Sequence, residues 1–405
     1  MEYAPETALA YARSMARPRL VGSSEDQAVA AEIANRLGRF GYQVEYQAFR
    51  FSTAVNTFLA LEILTGLALI LLTFWVRGVA TWASGIPAAL SVALFLLIGP
   101  LNRSVQATAI APDSGQAVSR WSALCLRIAR QYSTANLVAS LPNRPDNPAL
   151  PYLYLSAHYD SKSQRMPLVI RIALFVILIG CGLVFAGVTL LQMVFPALAP
   201  VAQVVGGVAL LAGVPLLFLD VGNDSPGAID DASGVGVVLH LAECLAQRPE
   251  VCGRLNLTVL ILGAEELAVM GAAAYVRRHE AVLRRQAKAG ALHVLNFDGP
   301  GVDGKLYLVS GDSTGRKHQT TGLGSRVKEA CAELGVPLGK FSLPGASFDH
   351  IPFAQLGFDA VSLIAIGRAT RAIHTSGDST DKLHVRGFAQ AGQVALKVIE
   401  KLASR

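Results

Sequence analysis

Four stretches of this 405-residue chain are apolar for long enough to cross a bilayer: roughly Asn56 to Val76, Val79 to Leu101, Ile172 to Val194 and Val201 to Leu219. A helix needs about 20 such residues to span about 30 Å of hydrocarbon. The runs come in pairs. A few residues around Arg77 join the first two, and no charge falls between Arg171 and Asp220 in the second pair. They are expected to form two transmembrane hairpins, covering 54–102 and 166–221, with a buried helical pair as the alternative for the second. The composition agrees with lipid contact, with 52% hydrophobic residues, 16% charged and a mean hydropathy of +0.42.

The remaining segments, 1–53, 103–165 and 222–405, alternate between strand-like and helix-like patterns. Apolar residues recur at helical spacing from Asp26 to Leu37, Gly41 stops that helix, and Val44 to Phe51 alternates like a strand. The expected partner of that strand, Ala135 to Leu141, arrives only after the first hairpin. Further strands are expected at Tyr152 to Ala157, Leu257 to Leu262, Leu292 to Phe297, Lys305 to Val309 and Ala360 to Ile366. Helices are expected at Val235 to Leu245, Thr321 to Leu334 and Arg386 to Leu402. Alternation of this kind points to an α/β fold with a mixed, largely parallel sheet flanked by helices. Between Val118 and Tyr132, Trp121, Leu124 and Ile128 share one face among Arg120, Arg127 and Arg130. That face suits an interfacial helix or an ordinary surface helix equally. Glu62 lies inside the first apolar run but less than two turns from its polar start, within reach of the interface.

A net charge of +6, without basic runs interleaved with aromatics, gives no support for nucleic-acid binding. The five cysteines, Cys125, Cys181, Cys244, Cys252 and Cys331, form no CxxC pair and suit a reducing compartment. Met1 to Arg50 has no short apolar segment of the signal-peptide type, so no cleavable signal is expected. Arg50, Arg103, Lys162, Arg165 and Arg171 flank the helix ends on one side, against Arg77 alone at the hairpin tips. By the positive-inside tendency the α/β part faces the cytoplasm.

Ligands of a parallel sheet bind beyond the carboxyl ends of its strands. His158, Glu265 with Glu266, and Asp298 each follow a predicted strand, and His374 lies on the loop after another. A Pro226-Gly227 turn leads to Asp230-Asp231 at the start of a helix, which taken alone would read as a helix cap. Two imidazoles and three or more carboxylates without a thiolate are what a pair of hydrolytic divalent ions requires, one carboxylate bridging them.

The segments His158-Tyr159-Asp160-Ser161, Ser225 to Gly234, Ala264-Glu265-Glu266, Asn296-Phe297-Asp298, Ser347 to Phe353 and Ile373-His374-Thr375 occur in this order along the chain. In this the sequence resembles the M28 zinc aminopeptidases, co-catalytic dizinc enzymes with a mixed-sheet α/β fold. The resemblance implies two Zn²⁺ bridged by Asp230, one completed by His158 and Asp298, the other by Glu266 and His374. It implies Glu265 as the general base, and Asp160 as acceptor of the other ring N–H of His158. Asp231 would be structural. His350 would line the substrate pocket, or be a hydrogen-bonded loop histidine. His240, His279, His293, His318 and His384 match no motif. Oxygen and imidazole ligands also suit manganese or cobalt.

The second hairpin sits between His158 and Asp230, so even extended links hold the site within roughly 40 to 50 Å of the bilayer. The expected substrates are peptides with free N-termini at or near the membrane, and the apolar helices offer surfaces for oligomerisation. Two other activities are compatible with the fold: a glutaminyl-cyclase-like zinc acyltransferase, or a catalytically silent adaptor or receptor. The second would be marked by lost ligands, and none is lost.

Overall fold

A computed structural model describes residues 2–111, 119–142, 147–310, 322–342 and 346–404. Eight strands form one sheet: β1 Gln43–Ser52, β2 Gln131–Ser140, β3 Tyr152–His158, β4 Asn256–Leu262, β5 Leu292–Phe297, β6 Gly304–Val309, β7 Leu338–Phe341 and β8 Asp359–Gly367. Their spatial order is β1-β2-β4-β3-β5-β8-β6-β7. The central strands β4, β3, β5 and β8 are mutually parallel, while β1, β2 and β6 enter antiparallel pairs. β3 and β5 are buried along their whole length. That explains why they read as continuous apolar runs rather than alternating ones.

The helices are α1 Pro5–Met15, α2 Ser24–Arg39, α3 Ala54–Val79, α4 Gly85–Ala109, α5 Arg120–Arg127, α6 Leu168–Leu191, α7 Ala199–Gly213, α8 Ser233–Ala246, α9 Pro249–Cys252, α10 Met270–Ala289, α11 Gly322–Glu333, α12 His350–Gln355 and α13 Val385–Ala403. The larger core lies where α1, α2, α8, α11 and α13 pack on one face of the sheet. A smaller core joins α10 and α12 to the other face. The antiparallel partner of β1 does arrive only after the first hairpin, with Gln43 opposite Ser140 and Ser52 opposite Gln131.

Among the described residues, four helical segments are long and apolar enough to cross a membrane: Ala54–Val79, Thr81–Ala109, Leu168–Leu191 and Pro196–Phe218. They pack through small residues, as membrane helices do in the absence of a hydrophobic drive between them. A Cβ on Gly206 would lie 2.6 Å from the Phe74 ring, and one on Gly213 would lie 2.6 Å from Leu67. Much of their outer surface is exposed and apolar, including Trp75, Trp82, Leu211 and Phe218.

Three expectations need correction. Arg77 belongs to the last turn of α3 rather than to the connection, which is made at Ala80 to Ser84. Its guanidinium donates to the Ala199 carbonyl (3.3 Å), tying the tip of the first hairpin to the second. The helix expected over Val118 to Tyr132 ends at Arg127, because Gln131 and Tyr132 pair with Ser52 and Phe51 in the sheet. The last apolar helix loses its α geometry at Gly213, before Pro215, which has no N–H to continue the ladder. Val118, His318 and Thr321 lie outside the described residues. Glu62 is buried and accepts a hydrogen bond from Asn102 Nδ2 (3.2 Å) across the α3–α4 contact, so its partner is a neighbouring helix.

Candidate active site

The parallel register brings the carboxyl ends of β4, β3, β5 and β8 to one edge. His158 is the last residue of β3. Glu265 and Glu266 follow β4 after Gly263 and Ala264, whose φ of +60° turns the chain sharply. Asp298 follows β5 directly. His374, itself at φ +64°, comes on the loop after β8. Positive φ in non-glycine residues is costly and tends to persist where the surroundings fix it, which is the pattern at functional sites.

Asp230 reaches the same edge from an irregular segment, Ala228–Ala232, ahead of α8. Gly227 precedes it at φ +56°, where a Cβ would lie 2.5 Å from Ser161 Cβ and 2.6 Å from the Asp230 carbonyl oxygen. Only glycine fits that turn. Asp378 holds the segment from the far side, accepting from Ile229 N (2.7 Å) and Asp230 N (3.3 Å).

The two carboxylate oxygens of Asp230 face different histidines. Oδ1 is 3.1 Å from His158 Nε2, and Oδ2 is 3.3 Å from His374 Nε2. His374 Nε2 is also 3.0 Å from Glu266 Oε2. Two donor groups result, His158 with Asp230 and Asp298, and Asp230 with Glu266 and His374. Within each, the donor atoms lie within 4.8 Å of one another. Glu265 belongs to neither, and its Oε2 stands 3.8 Å from His158 Nε2.

Asp160 Oδ1 is 3.4 Å from His158 Nδ1, and the Asp160 carboxylate also accepts from the backbone N–H groups of Glu265 (3.1 Å) and Glu266 (3.2 Å). One buried side chain thus references both loops to each other. Asp231 is in neither donor group and accepts from Gly234 N (2.8 Å) and Gly299 N (2.9 Å). His350 is fully buried with Nδ1 2.7 Å from Ser362 Oγ. His240 and His293 are likewise buried against carboxylates, Glu243 and Asp359.

Three cations at this edge carry no signal in the sequence beyond their charge. Arg19, wholly buried between α1 and α2, donates to the carbonyls of Tyr159, Pro226 (2.5 Å) and Gly227 (2.9 Å). It therefore joins the loop bearing His158 to the turn bearing Asp230. Lys162 donates to Glu266 Oε2 (2.9 Å) and to the Glu266 carbonyl (2.8 Å). Arg171, in the first turn of α6, has Nη2 3.2 Å from His374 Nδ1. Truncating Arg19 to Ala leaves three carbonyls without this donor, those of Tyr159 and Gly227 buried and that of Pro226 partly so. At about 1 kcal/mol or more for each, the expected loss is on the order of 3 kcal/mol. It is read as a fall in Tm of the detergent-solubilised chain, with weaker metal retention.

The electrostatics explain why such an edge calls for added positive charge. Burial pushes the Glu265 carboxyl well above its ordinary range, and the carboxylates of Asp298, Glu266 and Asp349 add to the effect. Asp298 is raised for the same reasons, with Asp230 the principal neighbour. Asp349 is fully buried, and among the described residues neither of its oxygens has a hydrogen-bond partner. Its carboxyl is pushed up to about 7, by burial first and then by Asp160 and Asp230. Against burial, the two histidines hold Asp230 well below the usual carboxylate range. Against burial again, Glu265, Asp160 and Asp230 hold His158 well above the usual histidine value. Carboxylates outnumber cations here, and Glu266 Oε1 is buried with no hydrogen-bond partner among the described residues. Nitrogen and oxygen donors without sulfur, converging in two groups, fit zinc.

An α/β sheet that gathers imidazoles and carboxylates at its parallel strand ends defines a metal-dependent hydrolase class. The particular family follows from the sequence: the chain belongs to peptidase family M28, whose family profile matches residues 136–399. A curated relative, Aminopeptidase YwaD of Bacillus subtilis (strain 168), is 27% identical over 186 residues, 43% of this chain and 37% of that protein. The chain thus spans well under half the length of the curated relative that it matches. Among solved structures, BSAP, a zinc aminopeptidase from Bacillus subtilis, superposes with a TM-score of 0.55 at 14% identity, covering 99% of this chain and 95% of that one. The glutaminyl cyclase of Porphyromonas gingivalis superposes with a TM-score of 0.53 at 14% identity, covering 98% of each. At such identities these likenesses establish the zinc-aminopeptidase type of fold, which the mixed sheet already indicated.

Proposed function

We propose that this chain is a membrane-embedded aminopeptidase that removes N-terminal residues from peptides at a two-zinc centre. The observation that carries the reading is Asp230, whose two oxygens each face a different histidine and so belong to both donor groups. His158 and Asp298 would hold one ion, Glu266 and His374 the other. Bound zinc would polarise the scissile carbonyl and lower the pKa of the attacking water. Glu265, off both donor groups, takes the proton from the attacking water and passes it to the departing amine. Asp160 holds His158 and the Glu265–Glu266 backbone in register, and Arg19 fixes the spacing between the His158 and Asp230 loops.

A panel of free and N-blocked aminoacyl substrates tests the reaction. Hydrolysis restricted to free N-termini is expected, and cleavage of blocked peptides alone would overturn it. The likeness to glutaminyl cyclases supports one alternative, in which peptides beginning with glutamine lose ammonia and become cyclised at the N-terminus. Mass analysis of the product separates the two. The full set of donors speaks against a silent adaptor.

The membrane setting rests on the four long apolar helices and on Arg171, which links the first turn of α6 to His374. The site thus lies at the mouth of a spanning helix rather than at the end of a long tether, which favours peptides presented at the bilayer, apolar ones above all. With the full chain, the preference for apolar over polar N-terminal residues should be greater in liposomes than in detergent. An unchanged preference would count against this substrate class. The α/β part is assigned to the cytoplasm from the arginine and lysine distribution. A cysteine placed at Thr81, in the α3–α4 turn, should then label from outside the cell, and labelling only from the cytoplasm would reverse the orientation.

A further inference from the structure

The short helix α5 is amphipathic in an unusual place. Its Ser122 and Cys125 side is buried: Ser122 Oγ donates to the Thr108 carbonyl (2.8 Å) near the end of α4, and the Cys125 carbonyl accepts from Ser52 Oγ (2.7 Å). The adjoining side presents Trp121, Leu124 and Ile128, which are 38%, 46% and 39% exposed. Such large apolar side chains on a helix already anchored by its other face need a covering surface.

What covers them is indicated by two further observations. The Trp121 ring meets Phe58 edge to face, with centroids 5.6 Å apart, and Phe58 lies in the second turn of the first spanning helix. The apolar face of α5 therefore continues the apolar surface of α3 at the level where that helix begins. Arg120, Arg127 and Arg130 are exposed around it, and no acidic residue occurs from Ser119 to Tyr132. Tryptophan and leucine flanked by arginine, at the depth where a spanning helix starts, match the interfacial zone of a leaflet carrying anionic headgroups.

We propose that α5 is a second, interfacial membrane contact: Trp121, Leu124 and Ile128 insert at the headgroup boundary, and Arg120, Arg127 and Arg130 pair with anionic lipid phosphates. This rests on the membrane reading above and adds to it a lipid preference and a fixed tilt of the α/β part, because α5 packs on both α4 and the β1 edge.

The chain has three tryptophans, Trp75, Trp82 and Trp121. A full-length W75F/W82F chain in liposomes therefore reports Trp121 alone. With phosphatidylglycerol-containing liposomes and lipids brominated at graded depths, its emission should be blue-shifted and quenched most by the shallowest bromines. The quenching should fall when Arg120, Arg127 and Arg130 are all changed to Gln, or when phosphatidylcholine is the only lipid. A companion W82F/W121F chain reports Trp75 in the first spanning helix and should be quenched throughout. Quenched Trp75 with unquenched Trp121, whether Trp121 is solvent-exposed or covered by a second copy of the chain, overturns the proposal and leaves the membrane reading intact. If Trp75 is unquenched as well, both fall. Equal quenching of Trp121 in anionic and neutral lipid overturns the anionic preference.

Discussion

Replacing Glu265 by Gln is expected to lower kcat by about 10²- to 10⁴-fold, the range general acid–base catalysis supplies, while leaving zinc content unchanged. The separation of the two effects is the informative part. Glu265 and Glu266 are adjacent in sequence, yet Glu266 Oε2 lies 3.0 Å from His374 Nε2, whereas Glu265 is in neither donor group. The sharp turn at Ala264 and the grip of Asp160 on both backbone N–H groups point the two side chains to different tasks. Glutamine keeps the size of Glu265 but cannot accept the proton of the attacking water. Parallel losses of zinc and activity would instead make Glu265 a ligand. Full activity in the Gln variant would remove it from the reaction.

Asp230→Asn has a different signature, because one side chain serves two donor groups. The amide has one acceptor oxygen where the carboxylate has two, and it removes a negative charge lying between two imidazoles. Retention of both ions is expected to weaken together by about 100-fold or more, beyond the 10- to 100-fold typical of partners that only orient a ligand. Chelator competition on the purified full-length chain measures this directly. Loss of one ion with the other held at its original affinity would show that Asp230 does not bridge. Asp298→Asn and His374→Ala should each weaken one ion preferentially, which provides the contrast.

Most of the site was legible in the sequence because its residues follow strand ends, and strand ends are marked by a switch from an apolar run to polar residues. His158, Glu265, Glu266 and Asp298 follow that rule directly, and Asp230 is announced by its Pro-Gly turn. The four long apolar helices were legible because length and hydropathy carry that signal without reference to anything distant. What was hidden is what depends on contacts far apart in the chain. Arg19 lies more than a hundred residues from the carbonyls it joins, in a segment with no periodicity of its own. Asp378 holds Asp230 from the other end of the sequence. Arg171 and Lys162 counted only as orienting charges until the fold placed them against His374 and Glu266. β7, a four-residue edge strand, is too short to show an alternating pattern. The overlong helix at Val118 to Tyr132 failed for a related reason: pairing with β1 outweighed a helical spacing that α5 does follow over its eight residues.

The central claim is that two zinc ions share Asp230 at the edge formed by β3, β4, β5 and β8. Metal analysis of the purified full-length chain, after exchange into metal-free buffer and titration with zinc, tests it most directly. The account predicts about two tightly held zinc per chain, about one in Asp298→Asn, and almost none in Asp230→Asn. A wild-type chain that saturates at one zinc, or an Asp230→Asn chain that still holds two, would contradict it.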